Sequence, residues 1–298
     1  MYFEPKMLKV QTGQIIEFYS NTCKVKGVDA DYKCRIQGRI DLVVGDMVNI
    51  ELEPNGDACE GVVTERLDRK TALYKSKDRT KKAVAANITC IGVLATVYPK
   101  TSNEFIDKWV AISRCSNIEP IIIFNKSDSV EEGSYDENQK LYSNLDIKTF
   151  LISAKLHLNL EPLTEFLANQ TAIFVGNSGS GKSTLTSALT GEVILARELS
   201  NNQGVHTTSV STLYSTDKKF KLIDSPGVRD IGIEHLLAKD ILHGFSEIEN
   251  LASSCAYPKC SHQEDDGCAV MEALNNDEIA QSRYNNFMTI VQSSNYGE

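Results

Sequence analysis

Eight consecutive residues constrain this chain more than anything else in it: Gly176, Asn177, Ser178, Gly179, Ser180, Gly181, Lys182 and Ser183. They match G-x-x-x-x-G-K-[ST], with a β-branched run at Thr171–Val175 before them and a helical run at Ser183–Leu189 after. In that setting the glycines let backbone N–H groups curl around phosphates, and a helix N-terminus faces the same anion. Lys182 then reaches the β- and γ-phosphates and Ser183 ligates Mg²⁺, with Thr184 beside it in the phosphate-binding set. Such a loop needs a sheet to stand on. From residue 83 the text alternates strand and helix, which implies a mostly parallel α/β sheet. Strands are expected at Asn87–Tyr98, Glu119–Phe124, Ile147–Ile152, Thr171–Val175, Val210–Tyr214 and Lys219–Ile223. A helix is expected at Asn103–Ser116, and Pro162 opens a shorter one.

A phosphate loop takes ATP or GTP, so the base is read elsewhere. Asn125-Lys126-Ser127-Asp128 follows the run Glu119–Phe124 and looks like the guanine-reading N-K-x-D box of GTPases. A carboxylate such as Asp128 accepts from guanine N1–H and the exocyclic amine; left unpaired and buried, it rejects adenine. Asn125 contacts the base edge, and the stem of Lys126 covers the ring. Ser153-Ala154-Lys155 resembles the companion S-A-K loop, whose backbone N–H meets guanine O6. Asp224-Ser225-Pro226-Gly227 resembles the D-x-x-G switch, with Asp224 toward Mg²⁺ and the Gly227 N–H toward the γ-phosphate. Between loop and switch, Thr207 or Thr208 fits the threonine whose hydroxyl ligates Mg²⁺. The guanine boxes stand before the phosphate loop, so the five boxes run 4-5-1-2-3, a circular permutation. That order ties the switch at Asp224–Gly227 to the segment that follows it.

Cys255, Cys260, His262 and Cys268 gather four soft or borderline ligands in fourteen residues. Cys₃His suits tetrahedral Zn²⁺ with no open position, hence a structural ion. The other five cysteines are scattered and read as reduced core thiols. Residues 1–68 read as short strands at Gln14–Tyr19, Tyr32–Arg39, Met47–Glu53 and Gly61–Glu65, a small β-barrel or sandwich. Asp277–Gln292 reads as a helix capped by Asn275 or Asn276.

With a small barrel, boxes in 4-5-1-2-3 order and the run from Cys255 to Cys268, the whole chain resembles the RsgA (YjeQ) family. Those are bacterial circularly permuted GTPases that act in maturation of the small ribosomal subunit. The resemblance implies an OB-fold barrel over 1–68, a permuted α/β P-loop GTPase over 69–232 and a small helical zinc domain over 233–298. It implies GTP hydrolysis stimulated by the small (30S) subunit, and contact with its rRNA through the barrel and zinc domain. Val228 fills the place where many GTPases put a water-orienting Gln. His206, just before the switch threonines as in the family, is the catalytic candidate; the family's usual Arg before it is Val205 here.

The net charge is −9, so nucleic acid must be met by local patches. The barrel offers Lys24, Lys26, Lys33, Arg35 and Arg39, with Phe18, Tyr19 and Tyr32 as stacking partners. The basic stretch 66–82 is either a solvated linker or a phosphate-contacting stripe. No apolar run reaches a membrane span and the first residues lack a secretory h-region, so a cytoplasmic protein without membrane contact is expected. A monomer is the expected state. Two rivals stay open: a guanine-nucleotide switch with negligible hydrolysis, and a permuted GTPase serving the large subunit or another RNA. Asn125 and Asp128 disfavour an ATP-using kinase.

Overall fold

Short strands punctuated by glycine close on themselves at the N-terminal end of the described chain. A computed structural model describes residues 9–19, 21–52, 60–77, 80–191, 210–234, 236–263 and 265–294, with side chains left undescribed at 9, 77, 80, 229 and 230. The first five strands are β1 (Lys9–Tyr19), β2 (Thr22–Lys26), β3 (Asp31–Ile36), β4 (Met47–Leu52) and β5 (Glu60–Arg66). They run β1-β2-β3-β5-β4, and β4 pairs back onto β1, closing an OB-like barrel. Alternation fills it: Cys23 and Val25 of β2 and Tyr32 and Cys34 of β3 point inward. Tyr32 is therefore core and not a stacking surface, and Phe18 packs against the same interior; Tyr19 stays exposed. The strand β2 is absent from the sequence reading because its Thr-Cys-Lys-Val-Lys text lacks a long apolar run.

The 66–82 stretch is not a linker. It holds a separate two-stranded hairpin, β6 (Ala72–Lys77) with β7 (Thr80–Ala86). One of its cations turns inward. Arg69 grips buried Asp46 through Nε (2.7 Å) and Nη2 (2.8 Å) and also reaches Asp41, which Arg66 shares.

The larger sheet has β8 (Cys90–Ala95), β9 (Glu119–Phe124), β10 (Lys148–Leu151), β11 (Thr171–Gly176), β12 (Ser211–Ser215) and β13 (Lys221–Asp224) in the order β10-β9-β8-β11-β13-β12. All neighbours are parallel except β12, which is antiparallel to β13. The strands β8 to β10 build outward one way and β11 to β13 the other, so the order reverses between β8 and β11. Ligands of open α/β sheets bind at the carboxyl ends of the strands beside such a reversal. Strands buried on both faces are continuously apolar, as in Ile121–Phe124, which is why they were legible.

Eight helices are assigned among the described residues: α1 (Asn103–Cys115), α2 (Asp136–Ser143), α3 (Leu160–Leu167), α4 (Lys182–Thr190), α5 (Ala238–Ile241), α6 (Ser246–Ala252), α7 (Ala269–Asn275) and α8 (Gln281–Ser294). In α1 the Ser102 side chain accepts from the Phe105 N–H, and Ile106, Trp109, Val110 and Ile112 are buried. Pro162 is the third residue of α3, not the first, still within the turn whose N–H groups lack intrahelical partners. The expected helix Asp277–Gln292 starts later: Asp277 takes φ +58° and α8 runs from Gln281, so Asn275 ends α7 and Asn276 caps that helix's C-terminus instead of opening α8.

Candidate nucleotide site and metal centre

Four boxes sit at the carboxyl ends of parallel strands: Gly176 ends β11, Asn125 follows β9, Ser153 follows β10 and Asp224 ends β13. Since β11 pairs with β13 in parallel register (Ile173 opposite Ile223), the phosphate loop and the D-S-P-G turn are neighbours. Gly179 (φ +76°) and Gly181 (φ +95°) take the left-handed backbone the loop requires. A Cβ on Gly181 would lie 2.3 Å from Asn125 Nδ2, so the loop also depends on close approach. The helix α4 starts at Lys182, with Ser183 and Thr184 in its first turn.

The loop is held by carbonyls. Lys182 Nζ donates to the Gly176 and Asn177 carbonyls at 2.6 and 2.9 Å. Asn125 joins two boxes: its Nδ2 donates to the Ser180 carbonyl (2.9 Å) and its Oδ1 accepts from the Ala154 N–H (3.0 Å). The Ala154 donor is thus engaged, while the N–H of Lys155 beside it makes no hydrogen bond with a described residue. Lys126 has φ +66° and its Nζ donates to the Tyr98 carbonyl (2.9 Å). Ser153 Oγ donates to Asp128 Oδ1 (2.5 Å) and Ser129 Oγ to Oδ2 (2.9 Å). Those two donors hold the Asp128 carboxyl below the usual carboxylate range. Asp128 is exposed, so rejection of adenine depends on the base itself covering the carboxylate.

Other residues of the site carry no motif. Tyr135 donates its hydroxyl to the Asn125 carbonyl (2.6 Å) and accepts from the Val97 N–H (3.2 Å), bracing the turn between the boxes. Ser225 and Ser211 hydroxyls lie 2.9 Å apart, joining D-S-P-G to β12. Val228 is buried and apolar, so it does not act on water. His206, Thr207 and Thr208 lie outside the described residues.

The second cluster is separate. Ligand atoms of Cys255, Cys260, His262 and Cys268 all lie within 4.8 Å of one another, an arrangement that could hold a metal ion. His262 Nδ1 is 3.6 Å from Cys255 Sγ and 3.7 Å from Cys268 Sγ. Burial holds the imidazole below its ordinary value, favouring the neutral form that ligates. Tyr284 of α8 donates to the His262 carbonyl (2.6 Å), and Cys268 Sγ also caps α7 at the Met271 N–H.

These helices are tied to the large sheet by one buried charge network, also invisible in the sequence. Arg283 of α8 donates through Nη1 to Asp107 of α1 (2.6 Å), through Nε to Glu247 of α6 (2.7 Å) and through Nη2 to the Gly244 carbonyl (3.0 Å). Tyr142 and Asn286 also donate to Asp107, at 2.8 and 2.6 Å. Burial pushes the Asp107 carboxyl up, against the pull of Arg283, Asn286 and Tyr142.

Comparison with known proteins agrees with this geometry. The model of the RsgA GTPase family matches residues 66–234. The small ribosomal subunit biogenesis GTPase RsgA of Klebsiella pneumoniae (strain 342) is 34% identical over 297 residues, covering 94% of this chain and 84% of that protein. The crystal structure of YjeQ from Thermotoga maritima superposes with a TM-score of 0.77 at 26% identity, covering 96% of this chain and 99% of that one. YloQ, described as a circularly permuted GTPase, gives 0.74 at 20% identity over 100% and 99%, a likeness of fold.

Proposed function

The chain belongs to the RsgA GTPase family, and from that premise we propose that it hydrolyses GTP in late maturation of the small ribosomal subunit, binding the subunit's rRNA and being stimulated by the subunit. That it is a GTP hydrolase follows from the family. The observation carrying the rest is the extent of the match: a relative named for small-subunit biogenesis aligns over 94% of this chain, well beyond the residues 66–234 that match the GTPase family model.

The site residues divide the work as follows. Asp128, Asn125 and Lys126 read guanine, with Ser153 fixing Asp128 and the Ala154–Lys155 turn facing O6. The backbone of Gly176–Gly181 and the Lys182 amine cradle the phosphates, with Thr184 in the same turn, and the Gly227 N–H senses the γ-phosphate. Ser183, Asp224 and Thr207 or Thr208 would hold Mg²⁺, which when bound neutralises charge on the phosphates. His206 orients the attacking water, a task that Val228 cannot perform. The cysteine cluster holds one structural zinc. Zn–N and Zn–S bonds of about 2.1 and 2.3 Å at a tetrahedral angle separate N from S by about 3.6 Å. The two Nδ1–Sγ distances here, 3.6 and 3.7 Å, support that ion.

The reading places the three units at 1–68, 69–232 and 233–298 in a cytoplasmic monomer. No described helix is long and apolar enough to cross a membrane. GTP turnover measured with and without purified small subunits tests the proposal, beside a His206→Ala variant and a large-subunit control. Stimulation by small subunits alone, lost in the variant, is the expected result. Equal turnover with and without small subunits overturns the ribosomal reading, and stimulation that survives His206→Ala removes the histidine from catalysis.

A further inference from the structure

The strand that follows the switch threonines is shared between the barrel and the larger sheet. On one edge β12 pairs with β13, placing Thr212 opposite Asp224 of D-S-P-G. On the other edge it pairs with the barrel strand β1, Phe18 opposite Ser211 and Glu17 opposite Thr212. Among the described residues, those two register pairs make up the ladder between β12 and the barrel. They begin where β1 changes partner: Lys9–Gln14 pair with β4, and a bulge between Ile15 and Glu17 re-aims the strand. Across the bulge the side chains separate, Ile15 into the barrel core and Ile16 into the core of the large sheet.

A clip stands at the other end of this contact. Ser211 Oγ and Ser225 Oγ are 2.9 Å apart, and Ser225 is buried. Ser211 therefore touches the D-S-P-G turn through its side chain and the barrel through its backbone. On the far side of β1 the same residues meet β2, Glu17 opposite Lys24 and Phe18 opposite Cys23. Lys26 Nζ to Ser215 Oγ (3.3 Å) and Lys221 Nζ to Gln14 Oε1 (2.6 Å) flank the junction.

We propose that Ser211 and Ser225 are positioning residues that couple the D-S-P-G switch, through the two β1–β12 residue pairs, to the seating of the barrel. A γ-phosphate that draws in the Gly227 N–H moves Ser225, and the hydroxyl clip passes that movement to β12 and hence to the edge of β1. Linkage makes the coupling reciprocal: a partner that shifts the barrel alters the affinity for GTP over GDP. The inference rests on guanine nucleotide occupying the phosphate loop and is independent of what the barrel binds.

Hydrogen exchange of the full chain, saturated with GDP or with a non-hydrolysable GTP analogue, tests it. In the wild type, amides of residues 14–19 are expected to differ between the two states by about fivefold, the lower end of ordinary allosteric couplings. Ser225→Ala and Ser211→Ala should each abolish the difference, the double variant should do no more than either single one, and Ser225→Thr should keep it. Equal exchange of residues 14–19 in both wild-type states overturns the proposal without any variant. A nucleotide-dependent difference that persists in folded Ser225→Ala overturns the clip. Calorimetric titration of GDP into the same samples reads the premise separately, and absence of binding there would overturn the nucleotide assignment itself.

Discussion

The phosphate loop and the cysteine knuckle hold their ligands in opposite ways. The loop is complete as backbone: its glycines take left-handed φ, Lys182 is held by two carbonyls, and Asn125 ties it to the neighbouring box. Its frame is a strand and a helix that the apolar core would hold in any case. The knuckle has no such frame. No described residue from 253 to 268 lies in a helix or strand, and a few turn bonds, such as the Ala256 N–H to the Gly267 carbonyl (3.0 Å), are its backbone order. Its geometry comes from four side chains that converge on a point. A nucleotide at the loop would be a guest of the fold, whereas an ion at the knuckle would be part of it.

Removing the ion is the strongest way to break that comparison. Zinc binding in small finger peptides is worth on the order of 10 kcal/mol, nearly all of it folding free energy. A zinc chelator, or Cys260→Ser, should release one ion per chain and unfold the region around 253–268, with loss of the Tyr284 contact to His262. Elemental analysis and hydrogen exchange check this. Stripping nucleotide should leave exchange in the same region unchanged. If the metal-free chain keeps its knuckle protected, side-chain ligation is not what orders it.

The next largest effect lies where the knuckle's helices meet the sheet. Arg283 is almost fully buried against two carboxylates, so Arg283→Met leaves Asp107 and Glu247 unpaired. Breaking such a buried pair from one side costs about 3–5 kcal/mol. Urea unfolding should register that loss, and the additional change Asp107→Leu should recover part of it, since an unpaired buried carboxylate is the main penalty. A double variant as unstable as the single one would assign the loss to packing on Phe245, whose ring lies 4.2 Å from the guanidinium.

At the nucleotide end the corresponding perturbation is gentle and shows as pH dependence. Ser153 and Ser129 lower the Asp128 pKa in the folded protein, so the ionised carboxylate persists to lower pH than a free one. The sign follows: guanine affinity is full above the ordinary carboxylate range and fades as pH falls through the depressed value. Ser153→Ala should move that acid limb upward, leaving GDP affinity near its wild-type value at neutral pH and reducing it severalfold near pH 4. GDP titrations across pH 4–7 measure it. An unmoved limb would mean that Ser153 does not set the charge of Asp128.

What could be read in advance follows distance along the chain. Features built from neighbouring residues have local signatures: glycine spacing marked Gly176–Ser183, unbroken apolar text marked β9 and β11, and soft-ligand clustering marked the knuckle. Features made by side chains distant in sequence had none. Arg283 sits 176 residues from Asp107, and nothing in either neighbourhood announces the pair. Tyr32 alternates inward on a strand whose neighbour β2 went unrecognised, so an aromatic read as surface is core. The helix expected from Asp277 starts only at Gln281, because Asp277 takes a left-handed backbone that its helical-looking neighbours do not announce.

The smallest expected effect sharpens the contrast most. Ser180 lies inside the phosphate loop with no exposed surface, and its Oγ has no hydrogen-bond partner among the described residues. Its backbone is what the loop uses: its carbonyl accepts from Asn125 and its N–H donates to the Asn177 carbonyl (3.1 Å). An unsatisfied buried hydroxyl costs about 1–3 kcal/mol, so Ser180→Ala should stabilise the chain by roughly 1 kcal/mol after the lost packing. GDP affinity should stay within about twofold, because the phosphates are met by backbone N–H groups that the change does not touch. Ser180→Val adds two methyls where Oγ already lies 2.6 Å from the place a Gly176 Cβ would take, and overpacking costs about 1–3 kcal/mol. Thermal unfolding of the two variants should therefore move in opposite directions. A Ser180→Ala protein that binds GDP tenfold more weakly would show that the hydroxyl belongs to the site, and that the loop, like the knuckle, relies on its side chains.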